Sequence, residues 1–212
     1  MKTVLLTTVA ALTVLGAAAP AHAEAGDFLF RLRAINVTPD ESATITPIGG
    51  DVDIDFSVVP EFDITYFLTD HVAAELILGV TPHDVTAVDT ALGDVDLGDV
   101  TLLPPTLTLQ YHFNPSGQLR PYVGAGINYT LFFNEDLPGG SPLASIDYDP
   151  SFGGALQAGI DYAINERWFL NFDVKKVWIN TDVSIDAGAL GLVEADVDIN
   201  PVIVGVGVGW RY

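Results

Sequence analysis

The amino-acid sequence predicts an all-β fold, an eight-stranded antiparallel up-and-down transmembrane β-barrel. Apolar side chains alternate with small or polar ones through segments of about ten residues, as in strands that face lipid on one side. Short turns alternate with long loops along the chain. The last strand, Val202–Tyr212, places its valines and two aromatics on one face and glycines with Arg211 on the other. An apolar face that ends in aromatic side chains is typical of a strand in an outer membrane.

The first 23 residues have the three parts of a secretory signal peptide. Lys2 precedes an apolar run over residues 4–16, and Ala21-His22-Ala23 forms a cleavage site. The run is too short to span a bilayer as a retained helix. We therefore expect residues 1–23 to be removed and residues 24–212 to form a single barrel domain. The absence of cysteine excludes disulfide and thiol chemistry.

Eight segments carry the alternation. It reconciles a hydrophobic content of 49% with a net charge of −20, because each strand shows an apolar and a polar face. No stretch after the leader has the roughly eighteen consecutive apolar residues of a helical span. The predicted strands are Asp27–Val37, Phe56–Leu68, Val72–Val80, Thr106–Phe113, Arg120–Phe133, Phe152–Ala163, Trp168–Thr181 and Pro201–Tyr212.

The connections between these strands alternate in length. In outer-membrane barrels the short turns are periplasmic and the long loops extracellular. Both ends of the mature chain are therefore expected on the periplasmic side. The turns cover residues 69–71, 114–118 and 165–167, and the loops cover residues 38–55, 81–105, 134–151 and 182–200.

The outward face of the strands is assigned to lipid. Its aromatic side chains lie near strand ends, where they form the girdles of membrane barrels. The predicted lipid-facing residues are Phe62, Ile64, Tyr66, Leu76, Leu78, Leu107, Leu109, Tyr111, Val123, Ile127, Tyr129, Leu156, Ile160, Tyr162, Phe172 and Val174.

The inward face is charged near the periplasmic ends of the strands. A lumen of eight strands is filled by side chains, and burying an unpaired charge is costly. We therefore predict an ionic floor, in which arginines neutralise carboxylates and straight passage is blocked, with Lys175 between this floor and the apolar positions nearer the outside. The floor residues are Arg31, Arg33, Glu61, Asp63, Glu75, Asp161, Asp173 and Arg211.

Nearer the extracellular side, the inward positions become apolar. A hydrophobic solute buried there gains about 25 cal/mol per Å² of apolar surface, so these residues predict a substrate path; simple core packing is the alternative. Pro60 lacks the N–H that a strand ladder needs. It marks a candidate lateral gap through which a solute would leave into the bilayer, unless it is a bulge or rim position. The path residues are Ile35, Val37, Val59, Ile77, Phe132, Val177 and Ile203.

The four long loops are strongly acidic. They hold five, five, four and five of the 28 acidic residues, and no Lys or Arg. Alternation such as Asp51-Val52-Asp53-Ile54-Asp55 places the acids on one face of an extended ribbon that rises beyond the membrane. Calcium or magnesium would relieve their repulsion, although a solvated rim is the simpler interpretation. The weak metal candidates are Asp51, Asp53, Asp55, Asp94 and Asp96.

The sequence gives no support for catalysis. A hydrolase needs Ser, His and a carboxylate at one site, and His71, His83 and His112 have no serine fixed beside them. There is no phosphate-binding loop and no basic patch for nucleic acid. We therefore expect neither a cofactor nor a nucleic-acid partner.

Three blocks of sequence resemble the OmpW family, which includes the AlkL-type proteins of hydrocarbon users. They are Leu103-Pro104-Pro105-Thr106-Leu107, the stretch 120–129, and Gly159-Ile160-Asp161-Tyr162 followed by Asn165 and Trp168. The chain departs from the family in ending on Tyr212 rather than Phe and in its acidic loops. The resemblance implies an eight-stranded barrel in the outer membrane of a Gram-negative cell, with a porin-like role in admitting small hydrophobic molecules.

Two functions remain open at this stage. In the first, small hydrophobic solutes enter the apolar upper lumen and leave laterally above the floor. In the second, the barrel is structural, and its acidic loops bind divalent cations, lipopolysaccharide or a partner surface. Either way, the expected partners include outer-membrane lipid and the barrel-assembly machinery, which recognises a terminal aromatic.

Overall fold

The computed structural model describes residues 24–141, 143–188 and 191–212, so the expected signal peptide lies outside the described residues. These residues form fifteen strands, and no helix among them is long and apolar enough to cross a membrane. The strands are β1 (Phe28–Thr38), β2 (Ser42–Thr46), β3 (Asp51–Ile54), β4 (Ser57–Phe67), β5 (Val72–Gly79), β6 (Thr81–Val88), β7 (Val95–Leu103), β8 (Thr106–His112), β9 (Leu119–Asp136), β10 (Ser145–Tyr148), β11 (Ser151–Ala163), β12 (Trp168–Val177), β13 (Asn180–Asp186), β14 (Leu192–Asp198) and β15 (Val202–Arg211).

Eight of these strands close into an antiparallel barrel, which confirms the predicted fold. Their order around the wall is β1, β4, β5, β8, β9, β11, β12 and β15, and β15 pairs with β1 to complete the circle. Each predicted segment overlaps one of them. Most bounds agree to within one residue, and two differ by more: β9 runs on to Asp136, and the seventh predicted segment is divided into β12 and β13.

The outer surface of the barrel is an apolar band. Leu109, Ile127 and Val206 expose half or more of their side chains, and all the predicted lipid-facing residues are exposed or half-buried. In water such an apolar surface would be unfavourable, whereas in a bilayer it contacts the lipid chains. The band therefore identifies the membrane-spanning part of the fold.

The remaining seven strands extend the barrel wall beyond this band. β7, β6 and β3 continue the sheet from the upper part of β9, and β10, β13, β14 and β2 form a second sheet facing it. In both sheets the acids face out while the alternate apolar residues face in, as in β3, where Asp51 and Asp53 are exposed and Val52 and Ile54 are buried. The long loops thus form a walled extension, with an apolar interior.

Candidate functional site: an apolar column above an ionic floor

The lower lumen is crossed by a dense set of ion pairs. On β1, the Arg31 guanidinium lies 3.0 Å from Asp63, 3.1 Å from Glu75 and 3.0 Å from Asp161. These carboxylates belong to β4, β5 and β11, and all four side chains are at most 2% exposed. Arg31 therefore joins opposite walls of the barrel.

A second layer of pairs lies beside the first. Arg33 contacts Glu61 through Nε at 2.8 Å and Asp63 through a terminal nitrogen at 2.6 Å. The Lys175 ammonium lies 2.7 Å from Glu61 and 3.0 Å from Asp173. Lys175, expected between the floor and the apolar zone, is the third cation of this network and forms its upper edge, since it also lines the inner apolar cavity.

Neutral polar side chains hydrogen-bond several carboxylate oxygens of the network, whereas Asp63 Oδ2 and Asp173 Oδ1 have only ion-pair contacts among the described residues. Gln110 donates to Glu75 at 2.7 Å, and Asn171 donates to Asp161 at 2.7 Å. Asp173 accepts from the Tyr122 hydroxyl at 3.0 Å and from Gln157 at 2.9 Å. This hydrogen bonding is what a buried ionic network needs to be stable, and it leaves the lower lumen filled.

Arg211 is placed differently from the prediction. Its Nε lies 3.6 Å from Asp27, with both side chains partly exposed at the periplasmic end. The ion pairs of Glu61 and Asp173 are made by Lys175 and Arg33 instead. Arg211 lies only one residue from the chain end, which explains why its strand position carries it to the rim rather than into the network.

Above the floor, the lumen is apolar. Of the predicted path residues, Ile35, Val37, Ile77, Val177 and Ile203 are at most 7% exposed, and Val59 and Phe132 pack half-buried against the same cluster. The cluster continues through the inward faces of the extension. The apolar zone is therefore longer than the sequence analysis expected.

Three cavities follow one another along this column. The outer cavity offers about 230 Å³ to the centre of a water-sized molecule, and the middle and inner cavities offer about 30 Å³ each. Ile45, Leu97 and Ile185 line both the outer and the middle cavity. His83, Leu102 and Ile199 line both the middle and the inner one. Neighbouring cavities share wall residues, so the three lie in succession within one apolar zone, here named the column, whose innermost cavity reaches Glu61 and Lys175.

The sequence analysis missed the lining that comes from the long loops. Only the acidic residues of the Asp-Val-Asp alternation were given a role in the prediction, and the apolar residues between them were given none. The signal was present, because a strand with one solvated acidic face must bury its other face. The missed residues include Ile45, Val52, Ile54, Leu97, Val197 and Ile199.

The wall has two breaks in its hydrogen-bond ladder beside the inner cavity. The β4–β5 ladder starts at Glu61–Gly79, and the β3–β6 ladder ends at Ile54–Val85. Between these two pairs, Asp55 connects the two sides of the break among the described residues. Its N–H donates to Asp84 O at 3.1 Å, and its carbonyl oxygen contacts His83 Nδ1. Residues 56–60 therefore have no ladder partner on this side.

The second break lies on the far side of β5 and β6, where these strands meet β8 and β7. The β5–β8 ladder ends at Ile77–Thr106, and the β6–β7 ladder begins at Thr81–Leu102. Pro104 and Pro105 lie between them and have no N–H to donate. Pro60 itself is aligned with Ala34 of β1 and is exposed outside, at the edge of the first break.

The weak metal candidates do not converge. Among the described residues, no group of three or more His, Cys, Asp or Glu side chains is arranged to hold a metal ion. Asp51 accepts from the backbone of Ala43 at 2.6 Å, and Asp96 accepts from that of Gly98 at 2.9 Å. These carboxylates cap backbone groups, and Asp53 and Asp55 are exposed.

The outer face of the extension carries opposed acids. Asp84 of β6 lies directly opposite Asp99 of β7, which in turn faces Asp136 of β9. The protonated Asp84 carboxyl donates a hydrogen bond to the Asp99 carboxylate, and this bond, together with the charge of Asp99, raises the pKa of Asp84 above its ordinary value. Like charges opposed in this way destabilise a sheet.

The comparison with known proteins settles the family. The model of the OmpW family matches residues 24–212, which is the whole predicted barrel domain. The chain belongs to the OmpW family. The resemblance inferred from the three sequence blocks is therefore confirmed, as is the outer-membrane location.

Individual OmpW relatives cover nearly the same length. An uncharacterised outer-membrane protein of Sinorhizobium fredii is 44% identical over 86% of this chain and 78% of its own. The dibenzothiophene metabolism operon protein PahQ of Pseudomonas aeruginosa is 32% identical over 92% of this chain and 93% of its own. The crystal structure of OprG from Pseudomonas aeruginosa superposes with a TM-score of 0.83, at 32% identity, over 89% of this chain and 97% of that one.

Replacing Arg31 with Met tests the floor as a structural brace. The change leaves three buried carboxylates without their shared cation, and we expect a loss of about 3–5 kcal/mol in the free energy of unfolding. Lys176→Met is the control, because its pair with Asp40 is solvent-exposed and should contribute less than about 1 kcal/mol. Urea unfolding in lipid vesicles measures both, and equal losses would contradict the assignment.

Replacing Asp84 with Asn tests the opposed acids. Because folding raises the pKa of Asp84, its ionised form disfavours the fold, and the barrel gains stability as the pH falls through that value. We expect Asp84→Asn to raise the melting temperature at pH 7 in low salt, with a smaller gain in high salt. Asp53→Asn is the control, since Asp53 lies opposite Thr86; an equal rise there would refute the explanation.

Proposed function

We propose that this barrel admits small hydrophobic molecules passively through the outer membrane. A solute enters the outer cavity from the extracellular side, moves down the column, and stops at the ionic floor. It then leaves sideways into the bilayer through the wall beside residues 56–60. The observation that carries the proposal is the succession of three apolar cavities, with neighbours sharing wall residues, above a lumen filled by charged side chains.

The energetics favour entry and oppose straight passage. Each 100 Å² of apolar surface that the solute buries contributes about 2.5 kcal/mol. Continuing downward would separate charged pairs or desolvate them, which typically costs several kcal/mol per ion. The solute therefore has a favourable site in the column and an unfavourable barrier beneath it.

The lateral route is supported by the position of the ladder breaks. Glu61, Gly79 and Thr81 line the inner cavity from the first break, and Pro104 lines it from the second. The wall can separate at these places without breaking strand hydrogen bonds. Outside them, Phe56 is 65% and Val58 64% exposed, so a departing solute meets apolar surface on the way to lipid.

The name of the relative PahQ agrees with this kind of cargo. It associates that protein with a dibenzothiophene metabolism operon, and dibenzothiophene is an apolar aromatic compound. Its 32% identity to this chain covers almost the full length of both proteins.

The second candidate is an interaction barrel whose acidic exterior binds divalent cations, and through them lipopolysaccharide. The opposed acids of β6, β7 and β9 favour it. This second function gives no role to the apolar column, so blocking the column should leave the binding of cations unchanged. Insertion by the barrel-assembly machinery through the terminal strand belongs to either candidate.

A charge placed inside the column tests transport. Ile45 lines both the outer and the middle cavity, so Ile45→Arg should reduce entry of a labelled hydrocarbon to the level of cells that lack the barrel. Thr44→Arg adds the same charge on the exposed face of β2 and should retain entry. Uptake of a small sugar is measured in parallel. Unchanged hydrocarbon entry with folded Ile45→Arg would exclude the column as the path.

Closing the first ladder break tests the lateral exit. The protein has no cysteine, so Val58→Cys with Val80→Cys can be joined selectively by a short bifunctional thiol reagent. We expect joining to slow hydrocarbon entry strongly, whereas the same variant without the reagent behaves like wild type. Full entry through the joined barrel would show that solutes leave elsewhere.

A further inference from the structure

His83 is a polar side chain in the wall of the column, whose other polar lining is Tyr148 in the middle cavity and Glu61, Thr81, Thr106 and Lys175 in the inner one. It lies on β6, in the extension beyond the membrane-spanning strands, and is only 5% exposed. It belongs to the walls of both the middle and the inner cavity. Across the strands it faces Val100, and Leu102 and Ile199 share its position between the cavities. In the proposed transport, a solute that moves from the middle to the inner cavity passes the His83 side chain.

The backbone fixes which ring nitrogen carries the proton. His83 Nδ1 lies 2.7 Å from the carbonyl oxygen of Asp55. A carbonyl oxygen only accepts, so Nδ1 donates, and the neutral ring presents Nε2 as an acceptor. Burial lowers the pKa of His83, which outweighs the opposing effect of Asp55 and Asp84 and keeps the ring neutral at pH 7.

Nε2 is left for a solute. Within the described residues no hydrogen bond to Nε2 is formed, and the bond from Nδ1 turns the opposite edge of the ring towards the cavity walls. Nε2 is not among the fully buried side-chain atoms of the described residues that lack a partner, so it keeps contact with the cavity. An acceptor covered by a purely apolar solute would have no donor, which is unfavourable, whereas a leucine would line the same place without that cost.

We propose that His83 Nε2 accepts a hydrogen bond from the hydroxyl of the transported molecule, so that the preferred cargo is a hydrocarbon with a single O–H group, an alcohol or a phenol. This inference rests on the proposed function and specifies its substrate class. The hydrocarbon body lies against the apolar walls above and below the ring, while the hydroxyl meets Nε2.

The chemistry of the column disfavours charged relatives of this cargo. A carboxylate would place a second acceptor beside Nε2 and would first have to pass the acidic exterior. An ammonium ion would lose its hydration among aliphatic side chains, which is costly without a paired charge. A neutral hydroxyl loses little hydration and regains one hydrogen bond.

The test compares entry of labelled 1-octanol and n-octane into cells that express the full chain. With wild type, the ratio of octanol entry to octane entry should exceed that of cells without the barrel. His83→Leu should lower the barrel's own ratio about tenfold, the value of one hydrogen bond. His83→Gln, which keeps an acceptor, should restore part of it. Asp84→Asn, next to it on the exposed face, should leave the ratio unchanged.

A second readout observes the contact directly. In barrels with ¹⁵N-labelled histidine, the Nε2 resonance of His83 should shift on addition of 1-octanol and not of n-octane. Equal ratios for wild type and His83→Leu, without this shift, would overturn the inference and leave the proposed transport standing. If wild type speeds entry of neither compound, the proposed transport fails; a shift with octanol then still supports the contact, and no shift overturns it.

Discussion

The buried ion pairs of Arg31 and Arg33 are the constraint on which the rest of this barrel depends. Two guanidinium groups on one strand contact carboxylates from β4, β5 and β11. Charges in this setting are tolerated only when they are paired and hydrogen-bonded. Their pairing fills the lower lumen, so the apolar column above it has no straight path to the periplasmic side. The proposed lateral route follows from this closure.

The same alternation of side chains serves two environments in succession. In the membrane-spanning strands the apolar face meets lipid and the polar face meets the floor. In the extension, β3 and β14 turn acids outward to water and bury valine, isoleucine and alanine inside. The change occurs where β5 gives way to β6 and where β3 gives way to β4, and the ladder breaks lie at the same level. The ladder breaks therefore lie where the membrane-spanning wall meets the extension.

The sequence predicted the barrel well, because a period of two residues reports local geometry. The alternation in Val202–Tyr212 gave the lipid face, and the need to pair buried charges brought Arg31, Arg33, Glu61, Asp63, Glu75, Asp161 and Asp173 into one prediction. The structure places these seven together.

The walled extension could not be predicted from the sequence, because it depends on pairing between strands that are far apart in the chain. β14 pairs with β2, some 150 residues earlier in the chain, and nothing local indicates this partner. Without it, the acidic ribbons were interpreted as a solvated rim, and His83 was assigned to a loop. Lys175 was expected between the floor and the apolar zone, and it lies at that boundary, where it pairs with Glu61 and lines the inner cavity.

The central claim is that an apolar solute occupies the column and does not pass the floor. Paramagnetic broadening of methyl signals by an apolar nitroxide probe, in barrels held in lipid nanodiscs, tests it directly. The structure predicts broadening of Ile45, Ile199 and Ile77 along the column, with Leu29 and Ala73 in the lower lumen unaffected. Broadening of Leu29 and Ala73 to the same degree, or of lipid-facing methyls such as Val204 without the column, would contradict it.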